Sequence, residues 1–156
     1  MGRRHDEVPE GQPDIVQRTF VFGEWVNRLC RHLLHELRDE QDLARQLKRS
    51  GRVVGALVEE AQGGETRKDF IHKMSIAHKE ARESHYWLRQ LIKADVMPSK
   101  RLIPLNDEAF QIKLILAAII NSTKRGENDS GEDQPSEGDQ NQDDPNQDDP
   151  KAQDDQ

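Results

Sequence analysis

The sequence predicts an all-α protein: an antiparallel up-and-down four-helix bundle followed by a disordered acidic C-terminal tail. Three observations carry this. Apolar residues recur at helical spacing through the first 125 positions. They fall into four stretches separated by short turn-rich breaks, as antiparallel neighbours require. The composition then changes at Gly126: residues 126–156 hold twelve acids, one lysine and a single apolar residue, Ala152. Residues 1–125 are 40% apolar with a net charge of +4, so the overall −7 hides a basic body and a tail of −11. The expected division is a flexible N-terminus over 1–12, the bundle over 13–125 and the tail over 126–156.

The first helix should run from about Pro13 or Asp14 to Arg38, with Phe22, Val26, Leu29, Leu33 and Leu37 on one stripe. Asp39–Asp42 forms the turn, and Asp42 is placed to cap a second helix over about 43–62. That helix carries Leu43, Leu47, Val54, Leu57, Val58 and Ala61, and it contains Gly51 and Gly55, four apart on one face. Two mid-helix glycines cost about 1 kcal/mol each in propensity. Their presence implies that another helix passes very close.

Gly63-Gly64 ends the second helix. The third, about 65–94, has the clearest pattern: Phe70, Met74, Ala77, Ala81, Ser84, Leu88 and Leu91 alternate spacings of 4 and 3, a heptad seam with small residues at its centre. Asp95–Pro98 breaks it. Pro104, with Asp107 and Glu108, opens a fourth helix running to about Arg125. Its Ile112, Ile115, Leu116, Ile119 and Ile120 leave little polar face. Burial on two sides makes these five residues the expected oligomer interface.

The tail repeats the pentapeptide Asn141–Pro145 as Asn146–Pro150 and offers no apolar surface to offset ordering entropy of roughly 1–2 kcal/mol per residue. Two roles fit it: a solubilising extension, or an intramolecular competitor for whatever the basic body binds. One cysteine, Cys30, excludes an intramolecular disulfide framework and suits a reducing cytoplasm. No apolar run approaches the roughly 20 residues of a membrane helix. The residues after Met1 lack the apolar region of a secretory signal.

Catalytic chemistry finds little support. His32 and His35 could face one metal, with Cys30 and Glu36 nearby, but no HExxH order is present. Asp69 and His72 form a single unpaired Asp-x-x-His, and His78 and His85 read more simply as hydrogen-bonding groups at a helix contact than as a pH-responsive interface. No Gly-rich phosphate loop or nucleophile set stands out, so no enzyme, metal or cofactor is expected. The basic residues say more. Arg45, Arg49 and Arg52 fall at i, i+4 and i+7 on the second helix, with Lys48 adjacent and Arg67-Lys68 past the glycine turn. Lys79, Arg82, Arg89 and Lys93 lie on the outer side of the third. These are either salt-bridged to Glu59, Glu60, Glu80 and Glu83 on solvated faces, or a polyanion-binding surface. The site expected for nucleic acid is Arg45, Lys48, Arg49, Arg52, Arg67 and Lys68.

Gln46–Gly51, Gly55-Ala56 with Glu60-Ala61-Gln62, Asp69–Ala77, Lys79–Ser84 and Tyr86–Leu88 together resemble the bacterial four-helix bundle protein family, the 23S rRNA intervening-sequence proteins. Pro13–Val16, Phe20–Phe22 and Ile119-Ile120 with Lys124 continue the likeness over roughly residues 13–125. The chain departs at Val53, Leu57 and Glu59, where relatives commonly carry Ser, Asn and Arg. The resemblance implies a bundle that assembles into a homopentamer without established enzymatic activity. It also implies a distant similarity to the accessory protein of diversity-generating retroelements, which works with a reverse transcriptase and nucleic acid. The expected function is a non-enzymatic, homo-oligomeric, cytoplasmic scaffold or binding module with RNA or other nucleic acid as partner. The alternative is a protein–protein adaptor for a polymerase, reverse transcriptase or ribosomal factor.

Overall fold

Asp14 starts the bundle by capping it. Its carboxylate accepts a hydrogen bond from the Val16 amide at 3.1 Å, satisfying one of the amides that a helix start leaves open. In the computed structural model, which describes residues 14–36 and 41–129, helix α1 then spans Ile15–Glu36. Its buried stripe is Thr19, Phe22, Val26, Cys30 and Leu33. Cys30 stands where the sequence reading put Leu29, which is half-buried on the flank. Leu37, Arg38 and the first two residues of the expected turn, 39 and 40, lie outside the described residues.

Helix α2, Gln41–Gln62, begins two residues earlier than its apolar pattern suggested. Asp42 sits inside its first turn and binds Arg45 at 2.9 Å, so it acts as a first-turn acid rather than as the preceding cap. The two glycines answer to α1 directly. A Cβ on Gly51 would lie 2.8 and 2.9 Å from the two γ-methyls of Val26, and one on Gly55 would lie 3.1 Å from the Thr19 carbonyl oxygen. The α1–α2 crossing is therefore too close for a side chain at either glycine without a shift.

Helix α3, Arg67–Lys93, is capped by Thr66, whose hydroxyl accepts from the Asp69 amide at 3.1 Å. Its seam is the expected one: Met74, Ala77, Ala81, Ser84, Leu88 and Leu91 are buried, and Phe70 is half-buried at the end. The small central residues let α2 approach, and there Ser84 and Ser50 meet with their hydroxyls 2.9 Å apart. Ser84 also reaches the Glu80 carbonyl at 3.0 Å, so the buried pair is satisfied within itself and by the backbone. Asp95, with φ of 52°, reverses the chain in a left-handed conformation that aspartate tolerates. A 3-10 turn, Ser99–Arg101, leads into helix α4, Ile103–Asp129.

Helix α4 runs four residues past the boundary that composition set at Arg125, so Gly126–Asp129 belongs to the helix. The rest of the acidic tail, 130–156, and the N-terminus before Asp14 lie outside the described residues. Helices adjacent in sequence pack against each other, and the join of α1 to α4 is the slightest of the four around the bundle. The core is aliphatic, with Phe22, Leu33, Leu47, Met74, Leu88, Leu91, Ile112 and Leu116 fully buried. Each contributes about 1.5–3 kcal/mol by leaving water. Among the described residues no helix is long and apolar enough to cross a membrane.

Candidate nucleic-acid interface

The sequence-expected basic residues do not form one patch. Arg45, Arg49 and Arg52 are exposed along α2, with Lys48 half-buried beside them. Arg67 and Lys68 instead begin α3, sixteen residues before Glu83, the α3 residue that Arg49 grips. That separation is about 24 Å along the helix. Arg67 lies toward the end of α4, where a Cβ on Gly126 would come within 3.5 Å of its guanidinium.

Two of the α2 arginines are already engaged. Arg45 donates to Asp42 at 2.9 Å and to Gln41 at 2.8 Å. Arg49 donates to Glu83 at 2.6 Å and stands 3.7 Å from Glu80, a buried carboxylate. Burial alone would raise the Glu83 pKa, but hydrogen bonds from Trp87 and Arg49 outweigh it and hold the carboxyl below its ordinary value. Glu80 Oε2 is buried without a hydrogen bond among the described residues. Drawing Arg49 onto a phosphate would strip the nearest cation from that buried charge, which is costly. The expectation that Glu80 and Glu83 neutralise basic residues therefore holds, for an arginine on the neighbouring helix.

The consequence appears on the other side of α3. Lys79, Arg82, Tyr86 and Arg89 follow one face at i, i+3, i+7 and i+10, and Lys113 of α4 joins them across the seam. With His85 and Glu83 they line an open cleft of about 480 Å³. Among the described residues lining it the only carboxylate is Glu83, whose Oε1 accepts from both Arg49 and Trp87 and whose charge is also felt by Lys79. Lys79, Arg82, Arg89 and Lys113 make no ion pair among the described residues. Lys113 Nζ lies 3.4 Å from His85 Nδ1 and 4.5 Å above the Phe110 ring centre, a cation–π contact. Tyr86 is 49% exposed at the rim and stacks edge-on against Trp87 at 4.9 Å.

The histidines report the sign of the local field. Burial first, then Lys113 and Arg89, push His85 below the ordinary imidazole pKa; Asp107 opposes them. His78 is lowered by burial, Arg82 and Lys113. Both rings thus sit among fixed cations that disfavour their charged form. The sequence reading saw Lys79, Arg82 and Arg89 on α3 but not the site, because Lys113 comes from another helix.

The other candidates are scattered. His32 and His35 are both exposed, and His35 pairs with Glu36 at 2.9 Å. Cys30 is buried among core residues, its thiol pushed up to about 12 by burial, against a small opposing effect of Lys48. Among the described residues no three His, Cys, Asp or Glu side chains gather as a metal site would need. Of the expected oligomer-interface residues, Ile112, Leu116 and Ile120 point into the chain's own core, whereas Ile115 and Ile119 are half-buried. The exposed apolar residues of α4 are Ile103, Phe110 and Leu114, spaced i, i+7 and i+11; Phe20 and Trp25 are the exposed ones of α1. Beside Trp25 the loose α1–α4 seam opens into a groove of about 390 Å³, floored by Leu29, Met97 and Leu105 and flanked by Arg28 and Arg101. Arg18 closes that seam elsewhere with a two-pronged bond to Glu108, at 2.5 and 2.9 Å.

Comparison with known proteins agrees with this architecture. A crystal structure of a protein of unknown function from the S23 ribosomal protein family of Bacteroides thetaiotaomicron superposes with a TM-score of 0.65 at 32% identity, covering 69% of this chain and 98% of that one. No curated protein matches. The sequence signature of one family, described as 23S rRNA-intervening sequence protein, matches residues 12–118, most of the 13–125 span that carries the sequence resemblance. The chain belongs to the 23S rRNA-intervening sequence protein family.

Proposed function

We propose that this protein is a non-enzymatic, cytoplasmic, homo-oligomeric bundle that binds RNA or another nucleic acid through the α3–α4 cleft. One observation carries the reading: Lys79, Arg82, Arg89 and Lys113 converge around an exposed tyrosine with Glu83 as the one carboxylate among the described lining residues. Cations held this way contact phosphates and release counterions on binding, and Tyr86 offers a face on which a base can stack. The α2 face supports it less, because Arg45 and Arg49 are occupied. The exposed apolar residues of α1 and α4 support self-association, and the family resemblance suggests five copies.

The test is fluorescence anisotropy with a labelled 20-nucleotide polyuridylate. Four phosphate contacts to a single strand give a salt slope of about −2.8, so raising salt from about 50 to 200 mM should weaken binding roughly fifty-fold. Charge reversal at Lys79, Arg82, Arg89 and Lys113 should abolish binding with helicity and native mass unchanged. Reversal at Arg45, Arg49 and Arg52 should weaken it less. Wild-type affinity in the cleft variant would refute the assignment.

A second reading, a protein–protein adaptor for a polymerase, reverse transcriptase or ribosomal factor, draws on the apolar groove beside Trp25. An adaptor would ignore polyuridylate at every salt concentration and hold its partner at high salt.

A further inference from the structure

The cleft has a ligand of opposite charge within its own chain. We infer that the acidic segment 130–156 docks in the α3–α4 cleft and competes there with polyanions. The inference rests on the reading of the cleft as an anion-binding site and adds its regulation.

Charge comes first. Residues 130–156 carry ten carboxylates against one lysine, Lys151. The cleft presents four cations to its single engaged carboxylate. The segment has almost no apolar side chains, so its attraction to the body is electrostatic, and the cleft offers it four cations gathered on one open surface.

Reach comes second. The segment leaves α4 after Asp129, sixteen residues beyond Lys113 on the same helix. That is about 24 Å. A 27-residue coil has a root-mean-square span of about 29 Å, so the attachment point matches the distance. Tethering at such a length gives an effective concentration of about 1 mM.

Together these set the magnitude. Weak, non-specific electrostatic contacts have dissociation constants near 0.1 mM. A tethered competitor at about 1 mM would then reduce polyanion affinity about tenfold. The effect should vanish at high salt, since both interactions are screened.

Two measurements on the full chain test this. In the first, all ten carboxylates of 130–156 are exchanged for amides (Asp→Asn, Glu→Gln), and polyuridylate binding is compared at about 50 mM salt. Affinity about tenfold above wild type is expected; equal affinity in two proteins that both bind would overturn the inference. In the second, a spin label is attached at Ser136→Cys. The native thiol does not interfere, because Cys30 is buried with its pKa pushed up to about 12. Selective broadening of amide resonances at 79–89 and 113, reversed by about 0.5 M salt, supports docking. Broadening that is absent, or spread evenly over the bundle, overturns it. If neither protein binds polyuridylate but the label still broadens the cleft, the RNA reading fails and the docking stands.

Discussion

Gly51→Ala is the sharpest probe of how the bundle is assembled. The new methyl would sit 2.8 and 2.9 Å from the γ-methyls of Val26, against ordinary contacts of 3.4–4 Å, and 3.1 Å from the Val26 Cβ. Val26 is fully buried, and as a β-branched helical residue it has one favoured rotamer. It cannot swing aside, so the α1 and α2 backbones must part by several tenths of an ångström. Overpacking of this kind costs about 1–3 kcal/mol, while replacing a mid-helix glycine by alanine returns about 1 kcal/mol. The net expectation is destabilisation of about 1 kcal/mol. Val26→Ala alone should cost about 2–3 kcal/mol through the cavity it leaves. In the double variant the methyl added at position 51 enters that cavity, so the pair should be about 1 kcal/mol more stable than Val26→Ala, with a coupling of about 2 kcal/mol. Urea unfolding of the four proteins at equal protein concentration, with unchanged m-values, measures the cycle. Stabilisation by Gly51→Ala, additive with Val26→Ala within about 0.5 kcal/mol, would show that the glycine serves no close approach.

The buried hydroxyl pair gives a second cycle: Ser84→Ala should cost about 1 kcal/mol by leaving Ser50 with only its long 3.4 Å bond to the Leu47 carbonyl. The double Ser50→Ala, Ser84→Ala should cost less, and a double worse than the sum would contradict the pairing. The two α3 histidines near Lys113 give a pH dependence. His78 and His85 have folded pKa values below the unfolded value near 6.5, so the unfolded state binds protons first on acidification. Their contribution to stability is complete above about pH 6.5 and lost as pH falls through and below it. His78→Gln and His85→Gln together should flatten the denaturation midpoint between pH 7 and 5; an unaltered slope would place the effect elsewhere.

What the sequence revealed, and what it did not, follows the range of the interaction. The α3 seam was legible because six buried residues repeat every 3 or 4 positions within one helix. Gly51 and Gly55 were legible as a contact because a glycine pair has no other reason to sit in a helix, though the partner, Val26, was not. In α4 the apolar residues encircle so much of the helix that periodicity could not separate inward from outward. Ile112, Leu116 and Ile120 prove to be core, while Phe110 and Leu114 lie outside. The cleft was hidden for a different reason: His85 and Lys113 are 28 residues apart and belong together only because α3 and α4 are antiparallel neighbours. Arg49 was ambiguous because the sequence allowed either a pairing with Glu80 and Glu83 or a phosphate contact, and the α2–α3 packing puts it on Glu83.

The loose seam between α1 and α4 has a consequence for motion. Three of the joins around the bundle are sealed by interlocking side chains, and the fourth is held by the α4 entry residues and the Arg18–Glu108 pair. A closed ring with one weak join breathes there. Amide hydrogen exchange should therefore be fastest along the facing edges of α1 and α4 and slowest at the Gly51–Val26 crossing. The Trp25 groove lies on that hinge line, so a molecule entering it would act as a wedge, and its occupancy would be read in the exchange rates of the helices on either side.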